Sequence, residues 1–133
     1  MPPALTPALA LDYVRELSAD VRAAIALAAD GARLAGPEAL AAPARVLLAA
    51  LGVHGHAERV EPAGVVCAAR SERHALIVVC GPLALPGVVA ADVRAALIAL
   101  AGSPLTGAPA PPATALQRAC EALISAAATL PEE

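Results

Sequence analysis

The spacing of apolar residues changes along the chain, and each change marks an element. Leu9, Tyr13, Val14 and Leu17 recur at helical spacing, with Asp12, Arg15 and Glu16 opposite. Thr6-Pro7 supplies an N-cap and a proline at the first helical position. A short amphipathic helix is therefore predicted from Pro7 to near Ala19. From Ala24 to Ala28 the period drops to two: Ile25 and Leu27 alternate with alanines, which predicts a strand whose alanine face admits a close neighbour. Asp30-Gly31 predicts a tight hairpin with positive φ at both residues, and Ala32 to Ala35 form the return strand. Gly36-Pro37-Glu38 closes that strand and opens a helix, with Glu38 favourably placed in its first turn.

Leu40, Ala44, Leu47, Leu48 and Leu51 make a stripe at helical spacing, but Val46, Ala49 and Ala50 beside it are apolar too. Arg45 is the only charge between Glu38 and His54. A helix apolar most of the way round is normally buried on more than one side. In a chain of 133 residues the expected second cover is another copy of the chain. Pro43 interrupts this helix and predicts a kink there, or a fresh helix start with Pro43 at its first position. Gly52 ends it. Ala57 to Glu61 is a short polar strand with Glu58 and Glu61 exposed. After the turn Pro62-Ala63-Gly64, two strands run from Val65 to Arg70 and from His74 to Gly81, joined around Ser71-Glu72-Arg73. Val65, Cys67, Leu76, Val78 and Cys80 share one face; Val66, Ala68, Ile77 and Val79 share the other. Both faces are apolar, so both are covered. Val88 to Ala101 is a helix with the stripe Val89, Val93, Leu97 and Leu100, stopped by Gly102. Ser103 to Pro112 has linker composition. A last helix, Ala113 to Thr129, carries Leu116, Cys120, Leu123 and Ala127 on one face and Arg118 and Glu121 opposite.

Composition narrows the function classes. Hydrophobic residues make up 59% of the chain, the formal net charge is −3 and Tyr13 is the only aromatic. Without stacking platforms, and with arginines scattered singly, nucleic-acid binding is disfavoured. Ala75 to Ala91 is uncharged, but Gly81-Pro82 and Pro86-Gly87 break it, so no helix inserts directly in a membrane there. Met1 to Ala10 has no basic n-region, and a cytoplasmic location is expected. The three cysteines are too few and too far apart for a disulfide framework.

Candidate chemistry is sparse. His54-Gly55-His56 offers two imidazoles where zinc normally takes three or four ligands, so a polar loop, with no metal and no cofactor, is expected. If Arg70 faces Ala75 across the hairpin, Cys67 faces Val78 and Cys80 is its diagonal neighbour, roughly 7–8 Å away. That is too far for an easy disulfide. With Cys120, these cysteines read as small core side chains. Asp30 belongs to its turn. "GPLALPG" lacks the lysine and spacing of a phosphate loop. Arg33, Arg45, Arg59, Arg70 and Arg73 are candidates for a catalytic finger, and the sequence does not separate that role from solvated arginines. No catalytic residue is assigned.

The order helix, strand, Asp-Gly turn, strand, helix, three strands, helix resembles the roadblock (dynein light-chain) domain family, of the bacterial small-GTPase regulator type. "VRAAIALAADGARLAG" is similar to its opening half, "GVVCAARSERHALIVVCG" to its closing hairpin and "GVVAADVRAALIALAG" to its last helix. The resemblance covers about Pro7 to Gly102 and rests on the ordered set rather than on one motif. It implies a roadblock-like domain over 7–102, followed by a Pro/Gly/Ala-rich linker over 103–112 and a C-terminal helix over 113–130. The implied fold is α+β: a five-stranded antiparallel sheet, profilin-like, with the first and last domain helices on one face and the middle helix on the other. The implied function is a non-enzymatic homodimeric regulator or scaffold that binds a small Ras-like GTPase, activating its hydrolysis or docking it. The implied dimer contact takes Ala44, Leu47, Leu48 and Leu51 from the middle helix and Val60 from an edge strand. The family carries no matched catalytic arginine onto this sequence. Pro43 in the middle helix and the short loop Gly52 to His56 depart from its pattern. The alternative is a small-ligand sensory module of similar sheet-and-helix build, which convergent polar loop residues would favour; the sequence shows none.

Overall fold

The computed structural model describes residues 6–17, 20–101 and 107–130. Helix α1 (Pro7–Leu17) begins where expected. The Thr6 hydroxyl accepts the Leu9 N–H at 3.2 Å, satisfying one of the free donors of the first turn. The predicted end near Ala19 lies outside the described residues. The buried side differs from the expected stripe. Ala10, Leu11 and Val14 face inward, whereas Leu9, Tyr13 and Leu17 stay about half exposed. Apolar positions span more than half of this helix, and only one part of that arc can meet the sheet. Small Ala10 and Val14 fit against the alanine face of the first strand.

That strand, β1 (Val21–Ala28), pairs antiparallel with β2 (Arg33–Ala35). The connection is a three-residue loop rather than a two-residue turn. Gly31 donates to the Ala28 carbonyl at 2.9 Å, and Ala28 donates to the Ala32 carbonyl at 2.8 Å. Only Gly31 has positive φ (+92°); Asp30 does not. The Asp30 carboxylate instead accepts the Ala32 N–H at 3.0 Å. The aspartate thus orders the loop through its side chain while the glycine supplies the left-handed residue of a bulge-type hairpin.

A 3-10 turn (Glu38–Leu40) runs directly into α2 (Ala41–Leu51). Pro43 is the third residue of α2, where a backbone N–H has no intrahelical acceptor. The proline therefore costs no helical hydrogen bond, but the helix starts two residues ahead of it, at Ala41, rather than with Pro43 at its first position. Strands β3 (His56–Glu61), β4 (Gly64–Arg70) and β5 (His74–Cys80) complete the sheet, in the order β2-β1-β5-β4-β3. All neighbours are antiparallel. The β4–β5 register follows the expectation: Arg70 pairs with Ala75, Cys67 with Val78, and Val65 with Cys80. Glu61, expected exposed, is largely covered on the α4 side of β3, where its carboxylate accepts the Arg59 Nε–H at 2.8 Å.

The sheet is buried on both faces. Helix α1 and α3 (Pro86–Ala101) cover one, against Ala24, Ala26, Cys67, Leu76 and Val78. Helix α2 and α4 (Thr114–Ala128) cover the other, against Ile25, Leu27, Val66, Ile77 and Val79. The fold is the expected α+β arrangement, with the C-terminal helix lying beside the middle one. Leu116, Cys120, Leu123 and Ala127 of α4 are all buried. The second cover of α2 is thus α4 of the same chain, where another copy was expected. A periodic stripe says that a cover is needed but not which segment provides it.

The segment before α4 reaches that position along the edge of β3. Gly55 donates to the Ala108 carbonyl and Ala110 to the His56 carbonyl, each at 2.8 Å. Pro109 bridges His56 in parallel. Two glycines permit the crossing: a Cβ on Gly55 would lie 2.5 Å from the Gly107 Cα. The first part of the expected linker, 103–106, and the expected stop at Gly102 lie outside the described residues; 107–112 is irregular chain apart from this bridge.

Candidate protein-interaction surface

The groups weighed as catalytic from sequence are spread apart and individually engaged. Cys67, Cys80 and Cys120 are free and buried. Burial above all, with the acidic Glu58, Asp20 and Glu61 nearby, pushes their thiols up to about 12, 11 and 12. They stay protonated at neutral pH and are poor nucleophiles. The Cys67 Sγ–H points to the Pro86 carbonyl at 3.7 Å. His54 and His56 sit on either side of the Gly55 crossing, and the His56 Nδ1 lies 3.7 Å from Glu58, beyond hydrogen-bond reach. Among the described residues no cluster of three or more His, Cys, Asp or Glu side chains has metal-binding geometry. Among them, too, no helix is long and apolar enough to cross a membrane.

Four of the five candidate arginines make local contacts. Arg33 pairs with Glu38 at 2.6 Å and donates to the Gly36 carbonyl at 2.8 Å, bracing the turn into α2. Arg59 is held by Glu61 on β3. Arg73 is exposed at the β4–β5 turn. Arg45 and Arg70, far apart in sequence, line the same cavity. The Arg45 Nε–H donates to the Gly31 carbonyl at 2.8 Å, and the Arg70 Nη1–H to the Gly52 carbonyl at 2.6 Å. They flank a cavity of about 320 Å³ between the β1–β2 loop and the C-terminal half of α2. In the sequence these two arginines stand apart, because no local spacing links them. A second cavity, about 410 Å³, lies between the β3–β4 turn and α4, with Glu61 and Glu121 on its wall.

Apolar surface is plentiful. Leu9, Tyr13 and Leu17 line the outer side of α1, and Leu83, Leu85 and Val88 mark the start of α3. On α2, Val46 is 56% exposed, and Ala42 and Ala49 share its outward side. Of the five residues expected at a dimer contact, Ala44, Leu47, Leu48 and Leu51 lie in the chain's own core. Val60 is 60% exposed on the edge strand. Among the described residues, the Ala110–His56 bond occupies only the first residue of that edge.

No protein-family model matches the sequence, and neither does any curated protein. Among solved structures, the chain is similar to the roadblock/LC7 domain from Streptomyces avermitillis, with a TM-score of 0.56 and 23% identity. The match covers 66% of this chain and 91% of that one. Nearly the whole of a roadblock domain is thus accounted for, and about a third of this chain lies beyond it. By sheet order, helix placement and this likeness, the chain has the roadblock/LC7 fold.

Proposed function

We propose that this chain is a non-catalytic, cytoplasmic protein-interaction module that self-associates and regulates or docks a small Ras-like GTPase. The observation that carries the reading is the roadblock/LC7 fold itself, with apolar surface left open on α1, α2 and β3. Patches of this kind on a soluble domain mark partner sites. Self-association uses what the chain leaves uncovered: Val60 on the β3 edge and the outer side of α2 at Ala42, Val46 and Ala49. A regulator with such a surface works by holding a GTPase's switch segments in one arrangement, which requires different affinities for the two nucleotide states. Any acceleration of hydrolysis comes from positioning the GTPase's own residues.

The test is a titration of the full chain against a Ras-like GTPase encoded beside it, loaded with GTP or GDP. Tighter binding of the GTP form is expected, and equal affinity would reduce the protein to a passive scaffold. Turnover assays on alanine variants of Arg33, Arg45, Arg59, Arg70 and Arg73 accompany it. Loss of stimulation in one folded variant, with binding intact, overturns positioning in favour of a supplied finger. Light scattering at micromolar concentration tests self-association, and a monomer throughout refutes it.

A further inference from the structure

Arg45 and Arg70 line one cavity beside α2 that has a defined charge and a defined neighbourhood. Arg45 projects from α2 and is fixed by its bond to the Gly31 carbonyl, its stem lying against the Gly31 backbone. Arg70, from the end of β4, is fixed by the Gly52 carbonyl at the C-terminal end of α2. That helix end carries partial negative charge, which is what holds a cation there. Each guanidinium has five N–H donors, and among the described residues it commits one to these bonds, so most are left for a ligand. Ala29, Leu48 and Ala49 form the apolar part of the wall. Asp30 stands on the lip, with one carboxylate oxygen held by the Ala32 N–H. Two cations and one anion leave a single net positive charge. Such a site suits a monoanionic carboxylate better than a dianionic phosphate, which Asp30 would repel.

The apolar side of α2 continues from the rim: Ala49 belongs both to the cavity and to the exposed row with Val46 and Ala42. Val53, 93% exposed, follows just past the helix end. A small metabolite filling the cavity would leave that row in water. A protein segment carrying an acidic side chain beside apolar ones would cover both. We propose that Arg45 and Arg70 form a carboxylate-binding pocket that receives an Asp or Glu side chain of a protein partner, with the partner's adjacent apolar residues seated on Val46 and Ala49. This deepens the GTPase reading, and the pocket is then where the GTPase's acidic residue docks.

The experiment has two arms. In the first, the isotope-labelled full chain is titrated with N-acetyl-glutamate-methylamide and, separately, with inorganic phosphate, and backbone amide shifts are followed. Shifts at Gly31, Ala49 and Gly52 with the glutamate probe, absent in Arg45→Gln and Arg70→Gln, are expected. Stronger response to phosphate, or none to glutamate, overturns the proposal. In the second arm, the GTP-loaded GTPase is titrated against the same variants and against Arg45→Lys and Arg70→Lys. Each Gln variant is expected to weaken binding about tenfold, with partial recovery in the Lys variants, which keep the charge but lose the fork. Arg118→Gln, on the exposed side of α4, leaves binding unchanged. Undiminished binding in variants whose melting matches the parent overturns the pocket while leaving the GTPase reading standing. No binding of the GTPase by the parent chain defeats that reading, and the first arm then decides the pocket alone. Self-association that fails in Arg70→Gln assigns the pocket to a second copy and refutes the proposed partner.

Discussion

Helix α4 turns the chain's apolar excess into structure, and Leu123 is the residue that measures its contribution. Leu123 is fully enclosed between the sheet and α2. Leu123→Ala removes about three carbons, each worth about 0.8 kcal/mol in transfer from water. The surrounding core cluster, built from the sheet, α2 and α4, closes the space only in part, which adds a cavity term. The expected total is about 3–4 kcal/mol, within the range of buried leucine truncations. For a domain of this size a loss of that order lowers the urea midpoint by about 2 M. The assay is urea unfolding followed by circular dichroism on the parent, on Leu123→Ala and on Arg118→Ala. Arg118 lies on the exposed side of α4, and its substitution is expected to stay within about 0.5 kcal/mol. A single transition shifted in Leu123→Ala alone makes α4 part of one cooperative unit with the sheet. A loss in Leu123→Ala no larger than in Arg118→Ala refutes the reasoning. So do two transitions of which only the smaller moves: the chain would then divide into a 7–102 domain and a separable 113–130 helix.

Gly55→Ala drives a Cβ into the Gly107 backbone, so the segment along β3 has to move. Faster hydrogen exchange at the Ala110 amide and a loss of about 1–3 kcal/mol are expected, and unchanged protection at Ala110 counts against the crossing. The three thiols carry a pH signature. Their folded values lie above the ordinary 9.0, so the folded chain holds these protons more tightly than the unfolded chain. Their stabilising contribution is complete below about pH 9 and is lost as pH rises toward 11–12, each thiol removing up to about 1.4 kcal/mol per pH unit in that window. Urea midpoints that stay flat from about pH 9 to about pH 10.5 would contradict this, and Cys67→Ala should reduce the slope by about one thiol's share.

What the sequence determined by itself is what short range fixes. The Thr6 cap, the alternation in β1, β4 and β5, and the stripes of α3 and α4 depend on side-chain periods and on residues a few positions apart. The β4–β5 register followed from its turn, because one residue of slip would exchange the two apolar faces. The roadblock order of elements was legible for the same reason. Tertiary structure decided everything that needed two distant segments. The apolar arc of α1 was too wide to reveal which half would meet the sheet, and the small Ala24 and Ala26 selected the side carrying Ala10 and Val14. The cover of α2 was readable as a need, but α4 was one of several apolar stripes able to meet it. The glycines at 55 and 107 show no local pattern, yet they let two backbones cross. Arg45 and Arg70 look like ordinary surface cations in sequence. They become a pair only because the β1–β2 loop and the end of α2 offer them carbonyls on two sides of one cavity. Such convergence arises from packing, and no local period records it.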